Sequence, residues 1–236
     1  MALHERLIVE LRSHVDRLLN RVDQLQLLLD QNFGASNGGD QPGFVSRELR
    51  AAAAVGSIAE LEALTRSTIQ RTHIELNTCG LMLCDISPSM RQLAVHGTFE
   101  SLRDAMDHGK LWEKRRFATT LETCNQSLLL PIVLQRAPQP PLDGRTLTPK
   151  HYHRLWQIYG LPGDPFPVVS WEGSLQKLAL LRNDIAHGSL PVDEIFTQAG
   201  RSAPEVRSYI NDIGLFSINF ADRWENYLTN QGYLTR

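Results

Sequence analysis

The chain has few cysteines, no excess of charge and no long apolar segment, and each shortage excludes a class of protein. Its 236 residues include three cysteines and no C-x-x-C pair, which argues against a disulfide framework or a zinc module and favours the reducing cytoplasm. Lysine and arginine number 24 against 26 aspartates and glutamates, so bulk positive charge does not coat the protein for nucleic-acid binding, although a local site stays open. No apolar run approaches the roughly 18 residues of a membrane span, and the charged start MALHERLIVELRSHVDR does not match a secretory signal.

The first segment carries the most regular apolar pattern. Apolar residues recur there in alternating steps of three and four, a heptad repeat, at Ile8, Leu11, Val15, Leu18, Val22, Leu25 and Leu29. The pattern predicts a long N-terminal helix over residues 1–31. The width of the stripe favours packing inside the chain's own bundle, whereas its valines and leucines favour pairing with a second copy, as in an oligomerising scaffold. Both alternatives stay open.

Turn formers and helix caps organise the rest of the chain. Residues 32–44 are rich in turn formers and predict a linker before a second unit, residues 45–236. Capping patterns predict helix starts at Ser57, Thr148 and Ser202. Residues 99–134 predict two or three shorter helices, which Gly109 is expected to interrupt. Since no alternating strand pattern stands out, the sequence predicts an all-α fold.

The most specific motif is a short run near the end of a predicted helix, Leu180 to Gly188, which reads LLRNDIAHG. At about 100° per residue, Asn183 and His187 lie within about 140° of Arg182, on one side of the helix. Apolar residues occupy the opposite side, at Leu178, Leu181 and Ile185. The helix is therefore expected to bury an apolar face and to present an arginine, an asparagine and a histidine.

These three side-chain types suit phosphodiester chemistry without a metal. The guanidinium of Arg182 is a permanently charged planar fork that matches phosphate. Histidine ordinarily exchanges its proton near neutral pH, so His187 is a candidate to activate an RNA 2′-hydroxyl for attack on the adjacent phosphorus. Arg182 would stabilise charge on the phosphoryl oxygens, and Asn183 would orient the imidazole or contact a ribose or phosphate.

A single copy of this site is chemically incomplete. One histidine does not easily serve as both base and acid, whereas two copies facing each other across a two-fold axis would supply two. The simpler interpretation has no catalysis: Arg182 forms a surface ion pair, Asn183 bonds to a loop, and His187 caps its own helix.

The run from Arg182 to His187 matches the R-N-x-x-x-H signature of the HEPN superfamily, named for higher eukaryotes and prokaryotes nucleotide-binding. The setting is also similar, because the motif ends a penultimate helix and precedes a long last one. The segment from Leu175 to Leu234 resembles a branch of bacterial HEPN proteins found beside toxin–antitoxin and phage-defence genes. The likeness is only topological over residues 60–100 and does not extend to residues 1–55 or 100–165.

The resemblance implies a HEPN-like helical bundle, a homodimer with a composite cleft, and a metal-independent endoribonuclease that needs no cofactor and leaves a 2′,3′-cyclic phosphate. Arg182 and His187 then correspond to the catalytic arginine and histidine, and Asn183 to the polar residue after the arginine. The resemblance further implies a toxin or anti-phage defence effector, with RNA as substrate and an antitoxin or defence-system protein as partner. Because the family includes inactive members, a non-catalytic module that binds RNA, nucleotide or a protein is the alternative.

One position departs from a family pattern. HEPN toxins silenced by nucleotidyltransferase partners carry a tyrosine two residues after the motif histidine, and this chain has Ser189 there. Control by transfer of AMP to that tyrosine is therefore not expected.

Two basic segments are weaker candidates for RNA contact. One is a strip on and before a short predicted helix, where phosphate and stacking contacts are expected at Arg145, Lys150, His151, His153 and Arg154, beside Tyr152 and Trp156. The alternative for this strip is a solvated face with buried aromatic rings. The other is Lys114-Arg115-Arg116, for which an ordinary surface role is favoured. His151 and His153 diverge by about 200° on a helix, so no shared metal is expected.

Overall fold

The computed structural model describes residues 4–33, 44–103, 108–120, 123, 125–132, 141–142, 146–188 and 190–235. These residues are mostly helical, and the β-type pairing among them consists of isolated bridges, Met82–Ser127 and Ile86–Leu234. The prediction of an all-α fold is confirmed. Cys79 and Cys84 carry free thiols, and Cys124 lies outside the described residues.

In chain order the helices are α1 Glu5–Phe33, α2 Phe44–Thr78, α3 Pro88–Ala94, α4 His96–Arg103, α5 His108–Thr119, α6 Pro149–Tyr159, α7 Val169–His187, α8 Val192–Ile195 and α9 Ala203–Thr229. Helices α2 and α9 touch each other and each contacts both α1 and α7, so α1 and α7 occupy opposite corners of a four-helix bundle. Within the described ranges, none of the helices has the combined length and apolarity needed to cross a membrane.

The heptad stripe of α1 is buried within this bundle. Its apolar residues are 0–6% exposed against α2 and α9 of the same chain, at Leu7, Leu11, Val15, Leu18, Val22, Leu25 and Leu29. Ile8 is only partly buried, and Leu7 takes the first position of the stripe. The start of the chain is also tied to its end, because His4 Nε2 lies 2.9 Å from the Tyr233 hydroxyl. Of the two alternatives for the heptad stripe, the structure shows packing within the chain's own bundle.

The predicted helix start at Ser57 is wrong, because α2 begins at Phe44 and continues through this position. Ser57 is fully buried and donates its hydroxyl to the Ala54 carbonyl at 3.0 Å, one turn back. The alanine run from Ala51 to Ala54 has high helix propensity, which lets the helix start upstream. Residues 34–43 of the predicted linker lie outside the described residues.

Other helix boundaries follow local capping chemistry. Pro149 is the first residue of α6 after Thr148, and α6 ends at Tyr159, before Gly160 with its left-handed φ of 62°. The Ser202 backbone N–H donates to Glu205 Oε2 at 3.0 Å at the start of α9, which confirms that capping box. Gly109, by contrast, lies in the first turn of α5 and interrupts nothing there, so that expectation is wrong. A glycine is tolerated in a first turn, where the amide has no intrahelical acceptor to lose.

Aromatic packing fixes α6 and α9 together. Tyr152 and Tyr159 of α6 are fully buried, and their ring centroids lie 4.8 Å from Phe216 and 4.6 Å from Trp224 of α9. The Trp224 indole donates to Thr72 Oγ1 in α2 at 2.8 Å, so its polar atom is satisfied inside the core. These packed aromatic rings hold α9 in place, and the motif helix α7 packs against α9.

Candidate active site

Helix α7 has the two faces that its sequence predicts. Leu178 and Leu181 are 0% and 3% exposed, and Ile185 packs against the same core. On the other side Arg182 and Asn183 are half-buried and His187 is exposed. The bundle thus fixes the helix by its apolar face and leaves the arginine, the asparagine and the histidine facing outward.

Asn183 is anchored from outside its own helix. Its Oδ1 accepts a hydrogen bond from Thr146 Oγ1 at 2.8 Å. Leu147, which follows Thr146, donates its backbone N–H to Glu62 Oε1 of α2 at 3.0 Å. Arg182 Nη1 approaches the same Asn183 oxygen at 3.4 Å, which is a weak contact. Because the oxygen is engaged, the orientation of the amide is set and its Nδ2 group remains a donor.

Arg182 keeps its charge available. Among the residues that the structure describes, no carboxylate oxygen lies within 4.0 Å of its guanidinium. The neighbouring Asp184 instead pairs with Arg201, whose Nη2 lies 2.7 Å from Asp184 Oδ2. The simpler interpretation of Arg182, a surface ion pair, therefore has no partner in the described part of the chain, and the guanidinium can meet an anionic ligand.

His187 is the last residue of α7, and its imidazole is exposed. Gly188 ends the helix in the left-handed region, φ 60°, and its backbone N–H donates to the Ile185 carbonyl at 3.3 Å. The backbone of the glycine, rather than the imidazole, makes this cap. Since residues four apart are neighbours on a helix surface, Asn183 and His187 belong to one polar patch, which we call the motif patch: Arg182, Asn183 and His187.

The motif patch is an open surface in a single chain. Three described hollows lie elsewhere, between α1 and α2, beside the end of α9, and on α5, and no residue of the patch lines any of them. Water weakens electrostatic stabilisation of a transition state at such an open surface. The three residues therefore share one side of α7, but they are not enclosed.

The predicted basic strip on α6 is divided by the fold. Lys150 and Arg154 are exposed and keep their cationic ends in solvent. His151 is buried, 8% exposed, and its Nδ1 accepts the Thr148 backbone N–H at 3.1 Å. His151 is therefore part of the helix cap, and its ring does not contribute to an exposed strip.

His153 also has a partner within the fold. Its Nε2 lies 3.2 Å from Glu172 Oε1, and its ring packs at 5.5 Å from the ring of Phe166. Tyr152 and Trp156 are buried, as the alternative for this strip has it. Within the described part of the strip, Lys150 and Arg154 are the exposed cations, and Arg145 lies outside the described residues.

Sequence reasoning did not identify Thr146 or Arg201 as parts of this site. Thr146 lies 37 residues before Asn183, and Arg201 lies 17 residues after Asp184, so no local spacing signals either contact. Ser189, where the family pattern for control by AMP would require tyrosine, lies outside the described residues.

Comparison with known proteins does not extend this description. No model of a protein family matches the chain, and no curated protein or solved structure matches it either. A functional interpretation therefore depends on the motif, its setting at the end of α7, and the chemistry of its side chains.

Proposed function

We propose that the protein is a metal-independent endoribonuclease of the HEPN type, which acts in the cytoplasm as a homodimer. The observation that supports the proposal is the joint outward display of Arg182, Asn183 and His187 on α7. The adjacent carboxylate of Asp184 is paired with Arg201. This pairing reduces the electrostatic repulsion between that carboxylate and a phosphate bound at Arg182.

Each side chain has a role in the proposed reaction. His187 accepts the proton of a ribose 2′-hydroxyl as that oxygen attacks the adjacent phosphorus. The bond from phosphorus to the 5′ oxygen breaks, and the partner subunit's His187 donates a proton to the leaving oxygen. Arg182 stabilises the charge on the non-bridging oxygens, while Asn183 donates its Nδ2–H to a phosphate or ribose oxygen. The products are a 2′,3′-cyclic phosphate and a 5′-hydroxyl.

A second copy of the chain supplies what one motif patch lacks. It brings the second imidazole and covers the open surface, which strengthens electrostatic stabilisation. Two large apolar side chains that are near the patch in the chain favour such a contact: Leu180, two turns before His187, is 51% exposed, and Leu190, three residues after it, is 40% exposed. A two-fold axis beside α7 would bury both pairs of leucines.

The direct test is cleavage of an end-labelled RNA by purified protein in the presence of a chelator. Wild-type protein is expected to cleave under these conditions, and both Arg182→Ala and His187→Ala are expected to lose about 10²- to 10⁴-fold in rate. His14→Ala is the matched control, because it removes a partly exposed histidine on α1, outside the patch and outside the basic strip. Cleavage at the wild-type rate by both patch variants would exclude this site. Loss of wild-type cleavage in the presence of chelator would exclude the metal-free mechanism.

The biological role in this proposal is that of a toxin or anti-phage defence effector restrained by a partner protein. Cleavage of cellular RNA would arrest growth, so induced expression of wild-type protein is expected to stop cell division. The His187→Ala variant, produced at the same level, is expected to leave growth unchanged. Growth arrest by both proteins would show that toxicity does not depend on cleavage at this patch.

A non-catalytic module that binds RNA, nucleotide or a protein through the same patch is the second candidate. The openness of the patch in one chain favours it, because binding needs less enclosure than catalysis. This candidate expects no turnover by wild-type protein and complex formation that weakens in Arg182→Ala.

A further inference from the structure

Helix α5 concentrates positive charge on a chain whose net charge is −2. Its sequence, HGKLWEKRRFAT, contains Lys110, Lys114, Arg115 and Arg116 against one acidic residue, Glu113. The sequence alone favours an ordinary surface role for such a cluster. The position of a tryptophan within it changes that interpretation.

Trp112 projects from α5 into solvent. It is 66% exposed, although tryptophan is usually well buried in folded proteins. Arg115 and Arg116 follow three and four residues later, so both flank the indole one turn further along the same side of the helix. The guanidinium carbon of Arg115 lies 5.4 Å from the indole centroid, within the range of a cation–π contact. We call these three residues the tryptophan–arginine face.

The fold does not require this tryptophan for its core. Phe117 packs against the core cluster, and it lies about 140° around the helix from Trp112. Helix α5 therefore packs on the core through Phe117, on a different side from Trp112, and it also contacts α4. The tryptophan–arginine face and Glu113 line an open hollow of about 500 Å³, which leaves space beside the indole.

We propose that the tryptophan–arginine face binds single-stranded RNA and holds the substrate of the proposed nuclease. A base stacks on the open side of the Trp112 ring, and Arg115 and Arg116 contact the flanking phosphates. Because every base has a π-face, such stacking gives affinity with little sequence preference. The choice of RNA over single-stranded DNA rests on the proposed function.

The composition of the face favours a nucleic acid over a lipid surface. A helix that lies on a membrane presents several apolar residues along one side. Among the described side chains of this face, Trp112 is the single large apolar one, and it is followed by two arginines. One aromatic ring beside two arginines suits a base with its flanking phosphates. It offers too little apolar surface for the acyl chains of a membrane.

Binding of fluorescein-labelled oligouridine, measured by anisotropy, tests the proposal. All proteins carry His187→Ala, so that no RNA is cleaved during the titration. Adding Trp112→Ala is expected to raise the Kd about 5- to 100-fold, in line with the loss of one stacked base, whereas Trp112→Phe retains most of the affinity. Arg115→Gln and Arg116→Gln are each expected to weaken binding and to reduce its salt dependence. Leu129→Ala is the control, because Leu129 is 71% exposed and lies outside α5.

The outcomes separate this inference from the proposed function. An unchanged Kd in Trp112→Ala, with a thermal midpoint equal to that of the parent, would overturn the inference. So would Trp112-dependent binding to phosphatidylglycerol vesicles without an effect on oligouridine. If wild-type protein never cleaves RNA but oligouridine binding depends on Trp112, the nuclease proposal fails and the inference stands. If cleavage occurs, Trp112→Ala is expected to raise KM with little change in kcat.

Discussion

The Thr146 hydroxyl donates a hydrogen bond to Asn183 Oδ1 across 2.8 Å, joining two residues that are 37 positions apart. The bond connects the segment before α6 to the motif helix and leaves the Asn183 Nδ2 group as a donor for a ligand. Since Leu147 is in turn bonded to Glu62 of α2, the amide is held against the bundle itself. Thr146 is thus a positioning residue for the motif patch, which it affects through Asn183.

Replacement of Thr146 by valine is expected to lower kcat for RNA cleavage about fivefold. The variant keeps the shape of the side chain but frees the Asn183 amide, and one lost hydrogen bond of about 1 kcal/mol corresponds to a rate change of that order. Thr146→Ser, which retains the hydroxyl, is expected to keep a near wild-type kcat. Steady-state kinetics checks both, with KM expected to change less than kcat. Equal kcat values for the valine and wild-type proteins would exclude a positioning role.

The buried stripe of α1 makes this helix necessary for folding. Leu18 is 0% exposed, and Leu18→Ala is expected to lower the free energy of unfolding by about 2–5 kcal/mol. Leu27 lies on the same helix but is 59% exposed, so Leu27→Ala is expected to change the free energy of unfolding by less than about 0.5 kcal/mol. Urea denaturation followed by circular dichroism measures both values. Similar losses in the two variants would contradict the packing of α1 described above.

Deletion of residues 1–31 provides a further check on α1. Because α2 and α9 would then expose the apolar surfaces that cover α1, the remaining chain is expected to lose its cooperative unfolding transition. A folded, monomeric remainder would instead support an oligomerising scaffold. Sedimentation combined with thermal denaturation distinguishes these results.

The buried His73 is expected to make stability depend on pH. Its Nδ1 donates to the Pro131 carbonyl at 2.6 Å and its Nε2 accepts from the Tyr159 hydroxyl at 2.7 Å, so the neutral ring is the form that fits. Burial lowers the pKa of His73 to about 4, well below the value of about 6.5 in an unfolded chain. The stabilisation by the neutral ring is therefore complete above pH 6.5 and is lost as the pH falls toward 4.

The comparison of wild type with His73→Gln isolates this effect from that of other groups. The variant does not titrate, so the difference in unfolding free energy between the two proteins is expected to narrow by roughly 3 kcal/mol from pH 7.5 to pH 4. Urea denaturation across this range is the measurement. A constant difference would mean that His73 binds its proton equally in the folded and unfolded states.

Position 188 favours glycine because of its backbone conformation, and not because a larger side chain would lack space. A Cβ at Gly188 would meet nothing within 4 Å, but its φ is +60°, so Gly188→Ala is expected to cost roughly 1 kcal/mol of stability. Gly188→Asn is expected to cost less, since asparagine tolerates this region better. Gly97 is the matched control: it also has open space but no positive φ, and Gly97→Ala is expected to be neutral or stabilising. Thermal midpoints of the three variants test this order.

Local patterns in the sequence were sufficient to predict several features of the fold. The 3.6-residue period separated the buried Leu178 and Leu181 from the exposed His187, because it depends only on helix geometry. The same is true of the start of α9 at Ser202, where the capping atoms come from residues three apart. The local rule failed at Ser57, because α2 had already started at Phe44 and runs through the alanines before Ser57.

The sequence by itself determined an all-α chain, a heptad helix at its start and one helix with an arginine, an asparagine and a histidine on a common side. These features arise from interactions between residues within one or two helical turns. Only the tertiary structure decided that α1 packs in the chain's own bundle and that Thr146 and Arg201 support the motif patch. Such contacts form between residues far apart in the chain, and they depend on how all the buried surfaces pack at once, which no local spacing encodes.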